Sequence, residues 1–306
     1  MGQKYDMKGH KRMHLFIVNP VAGKGRTLGI IPEIESLMKK HALPWRVEIT
    51  NAPGHAAEIA REYIKDNRNL RIFAVGGDGT LNEVLQSTVG TDACLGIVPA
   101  GTGNDFIKSF CPMKEPLELL PFMIHAIPVP VDVCKMNDRY FVNIASAGFD
   151  ADVVASTQHL KHLPFMKGKI AYIGGILLSL IRKKNIQATF FLDGEEIHMP
   201  SLLLSAFANG RYYGGGMMPA PQACPDDGFL DVCMIEGMNR LKILAFFPRF
   251  IQGTHTSMNG VSIRRCQSLR MESPHPVHVN ADGELFQYKS LEINLIHKGL
   301  QFIKPL

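Results

Sequence analysis

The chain has 306 residues, of which 46% are hydrophobic and 20% charged, with a formal net charge of +5. That balance excludes a disordered chain and gives room for two packed cores. The mild basic excess suits an anionic ligand or an anionic membrane surface, and without a dense basic stripe or interleaved aromatics it does not support a nucleic-acid partner.

Six scattered cysteines (94, 111, 134, 224, 233, 266) show no CxxC spacing, which reads as reduced thiols in a cytoplasmic protein. The polar, basic stretch Met1–His14 has no apolar signal-peptide core, and no uncharged apolar run approaches the roughly 18 residues a membrane span needs.

In chain order, Leu15–Val18 is a short apolar strand that ends in Asn19-Pro20-Val21-Ala22-Gly23-Lys24-Gly25-Arg26. This is a glycine loop with two cations, and it is not a Walker A loop because Gly25 follows the lysine. Helical spacing over Ile30–Lys40, a strand over Trp45–Thr50 and a helix over Pro53–Lys65 follow. The third strand, Leu70–Val75, runs into Gly76-Gly77-Asp78-Gly79-Thr80, and the fourth, Ala93–Val98, runs into Pro99-Ala100-Gly101-Thr102-Gly103-Asn104-Asp105-Phe106.

Alternation of strands and helices to about residue 125 predicts a parallel sheet with helices on both faces, whose ligand sits at the C-terminal strand ends. Three glycine loops therefore converge on one edge. Glycine lets a ligand approach the main chain, and helix N-termini favour anions, so this edge reads as a phosphate site with Asp78 placed for a metal ion or a hydroxyl. Each loop taken singly is also compatible with a plain connecting turn.

Beyond residue 128 the texture changes. Val129–Val133, Arg139–Ile144, Gln187–Leu192, Ile197–Ala208, Phe229–Ile235, Ser262–Met271, Val277–Asn280 and Leu291–Leu295 read as strands, with helical stretches near 150–184 and 239–253. A mainly antiparallel second domain is expected. The boundaries read as 1–128 for the α/β domain and 129–295 for the β-domain, with 296–306 docking back on the first.

Two Asp-Gly-Glu sequences, at 193–195 and 282–284, both lie between strand-like runs and both read locally as hairpin turns. Periodicity does not choose between them. From Val153 to Leu192 there is no Asp or Glu, while Lys161, Lys167, Lys169, Arg182, Lys183 and Lys184 flank the apolar run Ile170–Ile181. This stretch is expected either to dock on an anionic membrane or to pack as a buried helix with its cations in water.

Taken together, the loops at 19–25, 76–83 and 99–106 resemble the diacylglycerol kinase catalytic domain in order and spacing. Gly148-Phe149-Asp150-Ala151, Gly214-Gly215-Gly216, Asp227–Asp231 and Asp282-Gly283-Glu284 extend the likeness over nearly the whole chain. The chain is most similar to soluble bacterial lipid kinases. That resemblance implies a phosphofructokinase-like parallel α/β domain, an NAD-kinase-like β-sandwich domain and a cleft between them. It implies an ATP-dependent, diacylglycerol kinase-type phosphotransferase acting on a membrane lipid, most directly diacylglycerol giving phosphatidic acid.

Its implied nucleotide-contacting residues are Asn19, Lys24, Thr50, Gly76, Gly77, Asp78, Gly79, Thr80, Leu81, Asn82, Glu83, Gly101, Thr102 and Gly103, with Asp78 acting through Mg2+ on ATP. The resemblance selects Glu284 as general base on the lipid hydroxyl, with Asp282 beside it. It also implies a second, structural Mg2+ held by the Asp227 carboxylate and the carbonyls of Cys224 and Phe229; an acidic turn without metal is the other reading of that loop. A cytoplasmic, peripherally membrane-associated enzyme is expected, and a homodimer is compatible with the resemblance. The rivals are an NAD kinase-like enzyme acting on a soluble substrate, a sphingosine kinase, and a catalytically silent lipid- or nucleotide-binding module.

Overall fold

The structure is a computed structural model that describes residues 12–111, 115–154 and 185–305. The expected docking stretch falls largely outside these residues, including Lys161, Lys167, Lys169, Arg182, Lys183, Lys184 and the run Ile170–Ile181. The chain divides into two compact units. One comprises Met1–Val133, Pro225–Asp227 and Ile296–Leu306; the other comprises Cys134–Cys224 and Gly228–Leu295.

The first unit is the parallel α/β domain. Strands β1 (His14–Val18), β2 (Trp45–Ile49), β3 (Arg71–Gly76) and β4 (Cys94–Pro99) alternate with helices α1 (Ile31–Lys40), α2 (His55–Asp66) and α3 (Asp78–Thr88). Their order across the sheet is β2-β1-β3-β4, all parallel. The strands β1, β3 and β4 are buried throughout, as expected for a sheet covered on both faces, and this is why they read as unbroken apolar runs. Phe16, Val18, Phe73, Val75 and Val98 pack one side of the sheet against Ile34 and Met38 of α1 and against Leu119, Leu120 and Met123 of α4 (Pro116–Met123).

The second unit is antiparallel. After β5 (Val129–Met136) and β6 (Arg139–Phe141) come β7 (Ile144–Gly148), β8 (Ile186–Leu192), β9 (Glu195–Ala208), β10 (Leu230–Glu236), β11 (Val261–Cys266), β12 (Ser268–Ala281) and β13 (Glu284–Ile303). Helical backbone over 149–154 follows β7, and helix α5 (Arg240–Gln252) lies between β10 and β11. Strand β9 pairs with both β7 and β8, and β12 pairs with the same two, so the four strands close on one another around a core.

Side-chain alternation sorts two layers. Leu230, Val232 and Met234 of β10 enter the core with Phe190 and Phe207. The intervening Cys233 and Ile235 enter a second cluster with Ile243, Phe246 and Phe250 of α5. The last strand begins in this unit, antiparallel to β12, and its final residues Gln301–Ile303 pair in parallel with Cys94–Gly96 of β4.

Two expected strands are broken. Arg139–Ile144 divides at residues 142 and 143 because the amides of Val142 (2.9 Å), Asn143 (3.3 Å) and Ile144 (3.0 Å) donate to the Asp282 carboxylate. Ser262–Met271 divides at Gln267, whose amide donates to the Asp193 carboxylate (3.0 Å), as does the amide of Ser268 (2.8 Å). Strand β12 also runs on through Val277–Asn280 across an irregularity between Glu272 and Val277, and β13 is far longer than the expected Leu291–Leu295. Among the described residues no helix is long and apolar enough to cross a membrane.

Candidate active site

Each of β1, β3 and β4 ends in its glycine loop, so the parallel register carries the three loops to one sheet edge. Asn19 closes the first. Its amide donates to the Val75 carbonyl (3.0 Å), its Oδ1 accepts from the Val21 amide (3.1 Å), and its Nδ2 donates to Thr80 Oγ1 (3.0 Å). Gly23, Lys24 and Gly25 then take three successive left-handed conformations, with φ of 57°, 61° and 86°. A Cβ on Gly23 would lie 2.0 Å from the Ala100 carbonyl oxygen, so only glycine lets the first loop meet the third. Lys24 and Arg26 are exposed, and Arg26 Nε donates to the Gly23 carbonyl (3.3 Å).

The second and third loops interlock. A Cβ on Gly101 would sit 2.4 Å from Gly77 Cα, and the Gly101 amide donates to the Gly76 carbonyl (2.9 Å). Asn104, buried and at φ 51°, accepts from the Gly101 amide (3.1 Å) and donates to the Pro99 and Gly101 carbonyls (3.0 Å each). Asp78 is the first residue of α3. Its Oδ2 accepts from the Asp105 amide (3.0 Å) and its Oδ1 from the Phe106 amide (3.2 Å).

Burial pushes the Asp78 carboxyl above the ordinary carboxylate range. The amides of Asp105 and Phe106 oppose that shift, and the Asp105 charge adds to it. Each Asp78 oxygen keeps a lone pair beyond its one amide, so the carboxylate can still ligate a hard cation, which would offset the cost of its burial. Beside it Lys108 Nζ donates to Asp105 Oδ1 (2.6 Å). The sequence reading missed Lys108. Its one visible signal is a cation closely following the third glycine loop.

Thr50, at the end of β2, donates its amide to the Val18 carbonyl (2.9 Å). Thr50, Asn19, Thr80 and Glu83 line a slot of about 170 Å3 with Pro20, Val21 and residues 51–53. Glu83 Oε2 accepts from the Ala56 amide (3.3 Å), satisfying a first-turn N–H of α2 whose N-cap, Gly54, has no side chain to offer. Leu81 and Asn82 face inward; Leu81 is in the core, and Asn82 Oδ1 accepts from Gln86 Nε2 (2.6 Å). Gly79 and Thr102 are exposed, and Gly103 lies against Asp78, where an added Cβ would be 3.0 Å from Oδ2.

A larger cavity of about 800 Å3 lies at the opposite edge, where β1, β3 and β4 begin, lined by His14, Arg71, Cys94 and His125 among others. Arg71 is a clamp there, donating to the Met123 (2.9 Å) and Ala126 (3.0 Å) carbonyls. Ligands of such sheets bind at the C-terminal strand ends, so the smaller slot is the candidate site despite its size.

In the second unit the two Asp-Gly-Glu turns share one construction. Asp193 and Asp282 both adopt positive φ (48° and 46°) and are followed by Gly194 and Gly283 at 92° and 94°. Both aspartates spend their carboxylates on strand-break amides. The glutamates differ. Glu284 pairs with Arg139, which donates through Nη2 to Oε2, whereas Glu195 is exposed at the start of β9. Arg139 is the second residue the sequence reading missed, because nothing local ties it to a turn far along the chain.

Pro225–Asp227 groups with the first unit, and Cys224 and Phe229 with the second. Within the first unit the Pro225 carbonyl accepts from the Asp132 amide (2.7 Å). Asp227 and Phe229 are exposed, and the Arg265 guanidinium lies 4.4 Å from the Phe229 ring centroid. Among the described residues no three His, Cys, Asp or Glu side chains gather as a metal centre.

Asp150 is a buried acid in the second unit. Tyr213 donates its hydroxyl to Asp150 Oδ2 (2.8 Å), while Oδ1 is buried without a hydrogen-bond partner among the described residues. Burial raises its carboxyl from the ordinary 3.8 to about 6. Below the lower value the group is protonated in folded and unfolded chains alike. As pH rises through the window the unfolded chain releases its proton first, so stability falls, by about 3 kcal/mol once pH exceeds 6. Asp150→Asn is expected to raise the unfolding midpoint at pH 7.5 and to leave it unchanged near pH 3.5, as read by denaturant melts at the two pH values.

An α/β unit with converging glycine loops and an antiparallel β unit make up a two-domain architecture. The diacylglycerol kinase catalytic domain model matches residues 13–136, and the YegS C-terminal NAD kinase beta sandwich-like domain model matches residues 143–303. A diacylglycerol kinase of Mycobacterium tuberculosis is 30% identical over 94% of each chain. A Chromohalobacter salexigens protein named "Probable lipid kinase YegS-like" is 32% identical over 92% of this chain and 91% of its own. The crystal structure of a diacylglycerol kinase from Bacillus anthracis str. Sterne shares the fold, with a TM-score of 0.69 over 96% of each chain at 20% identity. The chain belongs to the diacylglycerol kinase catalytic-domain family and is a lipid kinase of that family.

Proposed function

We propose that the protein transfers the γ-phosphate of ATP to the hydroxyl of a membrane lipid, with diacylglycerol as acceptor and phosphatidic acid as product. The observation that carries this reading is the interlocked set of glycine loops, with Asp78 at the start of α3 between them. Loops so close that a Cβ would strike main chain leave amides, rather than side chains, to meet phosphate oxygens. The slot lined by Asn19, Thr50 and Thr80 takes the remainder of the nucleotide, and Lys24 supplies positive charge from the first loop.

Mg2+ bound with ATP would neutralise charge on the transferring phosphate, and Asp78 is the residue that would hold it. Glu284 takes the proton from the lipid hydroxyl. Asp282 and Arg139 are positioning residues: the first fixes the turn through three amides, the second fixes the glutamate. The Asp227 carboxylate would hold a structural cation, and no step of the reaction runs through it.

The test is ADP release from ATP and Mg2+ with vesicles containing diacylglycerol, with NAD and sphingosine assayed in parallel. Turnover with diacylglycerol, traced by labelled phosphate appearing in phosphatidic acid, is expected. Turnover confined to NAD would replace the reading with that of a soluble-substrate kinase, and no turnover with any acceptor would favour a silent binding module.

A further inference from the structure

Helix α5 carries two apolar faces and needs only one of them to fold. Ile243, Phe246 and Phe250 are buried in the second unit's outer cluster. At 100° per residue the opposite face holds Leu241, Leu244, Pro248 and Ile251. Leu241 is 78% exposed, Leu244 54% and Ile251 43%. Arg240 lies on one flank of this stripe, and Lys242 and Arg249 lie on the other, all exposed.

The helix is firmly made. Asn239 caps it by accepting from the Lys242 amide (2.8 Å), and Gly253 ends it at φ 71°. Exposed leucines on a well-anchored helix are therefore not a sign of fraying.

The charge on the helix has one sign: Arg240, Lys242 and Arg249 are its charged residues, and no Asp or Glu lies between 237 and 253. A solvent-facing helix ordinarily mixes both signs. An apolar stripe bordered by cations is the pattern of a helix lying in the plane of an anionic bilayer surface, with its side chains at the headgroup boundary and its cations on lipid phosphates.

We propose that the outer face of α5 docks the enzyme on an anionic lipid surface. The proposal rests on the lipid-kinase reading, since a substrate held in a bilayer requires the enzyme to reach it there. It concerns an element distinct from the basic stretch preceding Leu192.

The test is co-sedimentation of the full chain with phosphatidylcholine vesicles and with equal mixtures of phosphatidylcholine and phosphatidylglycerol, together with turnover on vesicles and on short-chain diacylglycerol dissolved as monomers. The wild type is expected to bind the anionic vesicles and to be released by high salt. Arg240→Gln/Lys242→Gln/Arg249→Gln is expected to weaken binding about 100-fold. Leu241→Gln/Leu244→Gln should weaken it at least about tenfold. Because these side chains are exposed, both variants should keep the wild-type unfolding midpoint and wild-type turnover on the dissolved substrate. Phe122→Gln, an exposed apolar residue of the first unit, should bind as wild type.

Unchanged vesicle binding in both α5 variants would overturn the proposal. So would a wild-type dimer that Leu241→Gln/Leu244→Gln converts to monomer, since a second copy would then be the occupant. If the wild type phosphorylates neither lipid form while the variants still lose vesicle binding, the substrate reading fails and the docking face stands.

Discussion

Glu284→Gln is expected to lower lipid phosphorylation by about 10²- to 10⁴-fold, the range that a positioned general base contributes, while Glu195→Gln stays close to wild type. The two residues occupy turns built alike, with an aspartate at positive φ, a glycine after it and a carboxylate bonded to strand-break amides. The substitution keeps size and one acceptor oxygen while removing the negative charge and the ability to take a proton. The carboxamide oxygen introduced by Glu284→Gln can still accept from Arg139, so the turn and the fold should persist, which equal denaturant midpoints would confirm. Comparable loss in both variants would mean that turn geometry rather than the Glu284 carboxylate supports activity.

Asp78→Asn should reduce turnover by at least about 10²-fold, the scale of removing one preorganised charge from a transition state, and should also destabilise the protein. Its carboxylate accepts from the amides of Asp105 and Phe106 with both oxygens. An asparagine offers one oxygen and turns an NH2 toward the other amide, leaving a buried donor unpaired at a cost of about 1–3 kcal/mol. Two readouts separate the roles. Loss of the loop tether alone would lower the unfolding midpoint while leaving the Mg2+ dependence of the residual activity unchanged. Loss of the metal contact would also move the Mg2+ concentration for half-maximal rate upward. Wild-type turnover in Asp78→Asn would remove Asp78 from the mechanism.

Features dictated by neighbours in sequence were legible. Apolar runs ending in glycine gave β1, β3 and β4 and their loops, because a buried parallel strand needs no alternation and a phosphate loop needs no side chains. The antiparallel character of the second unit was likewise visible in strands separated by turn residues. Features set by partners remote in sequence were not visible. The breaks at Val142-Asn143 and at Gln267 are made by carboxylates 74 to 140 residues away. Nothing local distinguishes an amide bonded to Asp282 from one in a ladder.

The same holds for the candidate site. The glycines could be named from sequence, but the amides that Asp78 accepts from, the cap that Glu83 provides to α2, and the pairing of Glu284 with Arg139 are tertiary facts. Family resemblance could single out Glu284 from Glu195, and the ion pair now supplies a physical difference between them.

The inner face of α5 has a consequence for kinetics. Phe246 and Phe250 are locked in the core before any surface is met, so the helix enters docking already ordered. Segments that fold only on contact lose part of their interaction energy to ordering. Here that loss has been met during folding. Attachment through α5 should then behave as encounter with a preformed surface, with association rates accelerated by charge and slowed by salt.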